Sequence, residues 1–138
     1  MIDFKLTFAE FIIRVFTGIL FFFQGYDKLF NIKIGEVANT FMRDAERKSV
    51  PRGFVVFISY LTSIIELIAG LFLILGLYTD ISTYALGVDL LMICFAFSFM
   101  NPMWDLKYVF PRLVLIIFLL LLPQETCKLS LDCLLHIK

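Results

Sequence analysis

Three ionisable side chains sit where charge is hardest to keep. Arg14 belongs to the apolar run Thr7 to Tyr26, Glu66 to the middle of Phe54 to Tyr78, and Asp89 to Ile81 to Met100. Each run is long enough to cross a bilayer, where an ionised group near the midplane costs about 3 kcal/mol on insertion scales. Brought together, they could neutralise one another, hold the oxygen of a lipid-soluble ligand, or pass a proton to it.

Their spacing favours a meeting. Glu10, Arg14, Gly18, Phe21, Gly25 and Lys28 recur every three or four residues, on one face of a helix, and Glu10 precedes Arg14 by four. Ser59, Thr62, Ser63, Glu66, Gly70 and Gly76 form a second stripe, and Ser82, Ala85, Asp89, Met92 and Ala96 a third. With a rise of about 1.5 Å per residue, depths counted from the ends of the runs predict one layer of Arg14, Glu66 and Asp89. One arginine between two acids leaves a negative charge over, which a bound proton would discharge. Glu66 and Asp89 are therefore the proton-exchange candidates. Arg14, Gln24, Lys28, Glu66 and Asp89 are the candidates for binding a ligand, with Lys28 at the mouth. Arg112 falls near the opposite interface, at the level of Asp27 and Lys28. The bland alternative is that these polar groups only hold the helices together.

The elements that must position them are helices. The chain has 138 residues, 61% hydrophobic and 17% charged, with a mean hydropathy of +0.94. A soluble domain of this length could not hide so much apolar surface. Four spans are expected, at about 7–26, 54–78, 81–100 and 108–122, all helical because open strands cannot satisfy their backbone in lipid. Pro111 is tolerated in the first turn of the last span. Gly18 and Gly25 would let another helix approach closely. Between the first two spans, Ile34, Val37, Ala38, Phe41, Met42 and Ala45 give Ile34 to Arg47 an apolar stripe, an amphipathic helix along the membrane surface or an ordinary connector. The predicted fold is all-α, a four-transmembrane-helix bundle with an amphipathic interfacial helix between helices 1 and 2, in one domain, 1–138.

Tyr26, Trp104 and Tyr108 would mark one membrane interface, and Tyr78 and Tyr84 the other. Lys28, Lys33, Arg43, Arg47, Lys48, Arg52 and Lys107 crowd one side, against Lys5, Lys128 and Lys138 on the other. The positive-inside rule places the amphipathic loop in the cytoplasm and both termini outside. Lys5 alone, offset by Asp3 and followed by no small-x-small site, does not read as a cleaved signal peptide. The net charge of zero gives no case for nucleic-acid binding. A single histidine, His136, argues against a histidine-based metal site or haem. Cys94, Cys127 and Cys133 form no framework, and Cys127 and Cys133 are either free thiols or a bridged pair.

Arg14-x3-Gly18 followed by Gly25-x2-Lys28-Leu29 resembles the first helix of the DoxX-like family of small membrane proteins. Glu66-x3-Gly70-Leu71-x-Leu73-x-Leu75-Gly76-Leu77-x-Thr79 is similar to its second helix, and Val50-Pro51 to the step before it. Lys128-Leu129-Ser130-Leu131-Asp132 resembles the closing segment, although Pro123-Gln124-Glu125-Thr126-Cys127 replaces the usual Gly-Pro-Gly type turn. The resemblance implies a four-helix bundle in the bacterial cytoplasmic membrane. Its relatives include a small subunit of thiosulfate:quinone oxidoreductase, and more distantly proteins of disulfide handling or cargo escort. A small membrane subunit of a redox assembly is thus expected, partnered by a membrane or peripheral redox protein and holding a quinone or similar ligand. No cysteine pair inside the bundle supports direct disulfide catalysis. The rival is a non-enzymatic accessory, scaffold or cargo-escort protein whose polar layer is structural. Four short helices leave little room for a transporter unless the chain forms a homo-oligomer.

Overall fold

The computed structural model describes residues 2–47, 49–100, 109–122 and 129–134, in which every regular element is a helix. The order is α1 (Ile2–Tyr26), a π-helical turn (Asp27–Asn31), α2 (Ile34–Arg47), α3 (Arg52–Leu75), α4 (Thr79–Met100), α5 (Val109–Leu121) and the short α6 (Leu131–Leu134). By length and composition, Phe4–Asn31, Arg52–Leu75 and Thr79–Ala96 can cross a membrane. At 13 residues, α5 is about 20 Å long, shorter than the roughly 30 Å of hydrocarbon. Trp104, Lys107 and Tyr108 lie outside the described residues, as do Cys127, Lys128 and His136.

Helices α1 and α3 pack antiparallel with their backbones in contact. A Cβ on Gly70 would fall 2.5 Å from the Phe22 nitrogen, and one on Gly25 would fall 2.6 Å from the Leu67 nitrogen. One on Gly18 would meet Ile74 and Gly70 at under 3 Å. Hydroxyls contribute less to this seam than the sequence stripe suggests. Ser63 and Thr62 both donate back to the Ser59 carbonyl, at 2.6 and 3.2 Å. In an apolar surrounding, the nearest unsatisfied oxygen is on the helix's own backbone. The core beside the seam joins Phe21, Ala69, Leu73, Leu86, Leu90 and Ile116. The outer faces are Phe, Leu and Ile, with Phe95 74% and Leu121 76% exposed, as a lipid-facing surface requires.

Gly76 ends α3 and so does not extend its stripe. With φ of +69° it adopts the left-handed conformation, and Leu77 N–H reaches back to the Phe72 carbonyl at 2.9 Å. The turn to α4 is then closed from the far end of the chain. Asp132 accepts hydrogen bonds from the backbone N–H groups of Tyr78 (2.7 Å) and Thr79 (2.8 Å) and from the Thr79 hydroxyl (2.9 Å). Its carboxylate thereby caps α4 from another segment.

At Ile34–Arg47, α2 covers the expected range. Ala38 and Ala45 are buried against Val55 of α3, so its apolar stripe is spent on the protein itself.

Replacing Gly70 with leucine forces two backbones apart. Gly70→Leu is expected to cost about 3 kcal/mol in reversible unfolding in mixed micelles. Gly53→Ala, where no atom lies within 4 Å of the added carbon, should change stability by less than about 0.5 kcal/mol.

Candidate functional site

The predicted single layer is two clusters, and Arg14 is not in the one that holds Glu66 and Asp89. The glycine seam sets Gly18 against Gly70 and Ile74, and Gly25 against Ser63 and Leu67. Arg14, one turn before Gly18, therefore reaches the end of α3, whereas Glu66 lies level with Gln24 to Lys28. Arg14 and Gln24 are ten residues apart, about 15 Å along α1. Depth counted from the ends of each apolar run misses this, because backbone contact sets the register.

Arg14 is 2% exposed and fully occupied with structure. Its Nε donates to Glu10 at 2.7 Å, one terminal nitrogen to the Leu73 carbonyl at 2.8 Å, and the other to the Leu129 carbonyl at 2.9 Å. It thus ties α1 to the end of α3 and to the segment carrying Asp132. The motif residues Arg14, Gly76, Thr79 and Asp132 come together as one structural clasp.

The second cluster begins at the π-helical turn. There α1 widens by one residue per turn, a local geometry found disproportionately at functional sites. Lys28, in this turn, donates to Glu66 Oε2 at 2.6 Å, and Gln24 donates to Glu66 Oε1 at 3.0 Å. Glu66 itself is fully buried. Asp89, also fully buried, lies within electrostatic reach of Glu66 and Lys28. Neither of its oxygens accepts a hydrogen bond among the described residues, nor does Gln24 Oε1. Arg112 of α5 is close enough to Glu66 to interact with it electrostatically. The formal count is therefore two cations, Lys28 and Arg112, against two acids.

Beside this cluster lies a cavity of about 780 Å³, within the range of small-molecule sites. The first half of α3 and the second half of α4 form its apolar walls. Val37 and Phe41 of α2 roof it, and Gln24, Lys28 and Arg112 are its charged or amide-bearing wall. Glu66 and Asp89 stand behind this wall and brace it. Sequence reasoning placed Arg112 at the level of Lys28 but did not make it a site residue. It also missed Val37 and Phe41, whose signal was the amphipathic stripe of α2, read as facing lipid.

With only helices as regular elements among its described residues, three of them long and apolar enough to cross a membrane, a lipid-compatible exterior and the charges of its spans folded inward, this is a small integral membrane protein. Residues 9–99 match the family model DoxX, and the chain belongs to that family. No curated protein and no solved structure matches it. The matched span includes Arg14, Gln24, Lys28, Glu66 and Asp89; Arg112 and Asp132 lie beyond it.

Two stability measurements test the two clusters. Lys28→Met strands a buried carboxylate and is expected to cost about 3–5 kcal/mol, most of which the added change Glu66→Met should restore. Asp132→Ala removes the cap of α4 and should cost about 2 kcal/mol, read by the same unfolding titration.

Proposed function

We propose that this DoxX-family protein is a small membrane subunit of a redox assembly, holding a quinone or similar lipid-soluble ligand in the cavity between α3 and α4. In this reading the chain is one domain, with α5 as the fourth span, in a bacterial cytoplasmic membrane. By the positive-inside count, the roof α2 faces the cytoplasm and the N-terminus lies outside. One observation carries the proposal: a large apolar cavity whose polar wall holds a braced lysine and an amide oxygen without a partner.

The residues present suit such a ligand. Lys28 donates toward a ligand oxygen, Gln24 Oε1 accepts from a ligand hydroxyl such as that of a quinol, and the apolar walls exclude water. Glu66 and Asp89 hold a proton behind Lys28 and deliver it at that oxygen, as general acids do. The ligand supplies the redox chemistry when bound, and its electrons come from a partner protein. Arg14 has no part here, since its donors serve the clasp.

Glu66→Gln tests the proton role while keeping the shape and an acceptor for Lys28. In the membrane complex purified with mild detergent, quinone-linked turnover should fall about a hundred-fold, with bound quinone retained. Unchanged turnover would end the proton role. A loss of stability alone, with ligand content and turnover intact, would favour an accessory or scaffold protein whose polar groups are structural.

A further inference from the structure

Arg112 is a cation with unused donors on the cavity wall. It stands in the first turn of α5, half-buried, and makes no hydrogen bond or ion pair among the described residues. Lys28 and Glu66 nearby are engaged with each other, and each Glu66 oxygen already accepts a hydrogen bond, from Gln24 or from Lys28. Asp89 interacts electrostatically with Glu66 and Lys28. A guanidinium offers five N–H donors in a planar fork that matches the paired oxygens of a carboxylate or phosphate. Glu66 attracts that fork from a distance, but no acceptor among the described residues takes a hydrogen bond from it.

The access route suits an amphiphile. The cavity walls continue into the exposed apolar surface of α4 at Val88, Leu91 and Phe95 and of α3 at Phe54. A hydrocarbon chain already in the bilayer can enter sideways between α3 and α4 without crossing water. The polar end of such a molecule then meets Arg112 at the wall.

We propose that the cavity selects amphiphiles whose polar end is an ionised acid, seated on Arg112, with the tail lying between α3 and α4. This rests on the reading of the cavity as a site for a lipid-soluble ligand, and it concerns the head that Arg112 holds: an ionised acid in preference to a neutral group. A neutral carbonyl only accepts hydrogen bonds from Arg112, whereas an acid supplies paired acceptors together with a charge in direct contact. A fatty-acid carboxylate and the phosphate of an acidic phospholipid share this chemistry.

Full-length protein in an uncharged detergent, titrated calorimetrically at alkaline pH with oleic acid and with oleyl alcohol, compares two heads on one tail. Oleic acid should bind about ten-fold tighter or more, the effect of one charge-assisted hydrogen bond. Arg112→Gln should erase the preference, and Arg112→Lys should keep only part of it. Parallel titrations with phosphatidylglycerol and phosphatidylcholine separate the sources: a matching preference for phosphatidylglycerol supports a phosphate head, and its absence beside oleic acid binding supports a carboxylate. The preference of the unaltered protein stands even if a variant fails to fold. Oleyl alcohol binding as tightly as oleic acid would overturn the acidic head and leave the cavity reading intact. If oleic acid, oleyl alcohol and a short-chain ubiquinone all fail to bind, both readings fall.

Discussion

Two helix backbones in contact decide which charges of α1 and α3 meet inside this protein. Gly18, Gly25 and Gly70 remove the side chains that would hold α1 and α3 apart. The gain is dispersion along a long seam, the main attraction available between helices whose surroundings are as apolar as they are. The same closeness leaves one register only. A slide by one turn would drive Phe22 or Ile74 into a backbone that has no room for either. Arg14 consequently meets the end of α3, and Lys28 meets Glu66.

That register produces two different ways of burying charge. At the Gly76 turn the arrangement is closed: Arg14 spends its donors on Glu10 and two carbonyls, and Asp132 gathers three donors. Glu10 Oε2 accepts no hydrogen bond among the described residues, but Arg14 and Asp132 are held by the fold itself, which they stabilise and specify. At the π-helical turn the arrangement is open. Among the described residues, Gln24 Oε1 and both Asp89 oxygens accept no hydrogen bond and Arg112 donates none. Orphaned polar groups are costly in an apolar interior, and Gln24 Oε1 is the one among them, in the described residues, that belongs to a residue lining the cavity.

The cavity follows from how α3 and α4 are joined. Near Gly76 the turn is short and clasped, and Leu73, Leu86 and Leu90 fill the space between the helices. Farther from the turn, Ser59 and Thr62 of α3 and Ala96 of α4 are small side chains among those that line the cavity. Helix α2 covers what remains. Its anchoring residues, Ala38 and Ala45, are small, which brings it close to Val55 and sets Phe41 over the opening.

The membrane class and the helices were legible in the chain because they depend on local composition. A run of apolar residues with no other way to satisfy its backbone becomes a helix wherever it is. The range of α2, the stripe ending at Lys28 and the glycines of the seam were readable for the same reason, through the 3.6-residue period. Which charge meets which was not, because it depends on the offset between two helices, and depth counted along each chain segment carries no information about that offset. Arg14 was thus expected beside Glu66 and belongs to the clasp. Asp132, 53 residues from Thr79, could not be read as its cap. The sequence by itself determined a helical membrane protein with ionisable groups turned inward. Only the tertiary structure decided which of them are consumed by the fold and which face a cavity, since that is settled by contact between backbones far apart in the chain.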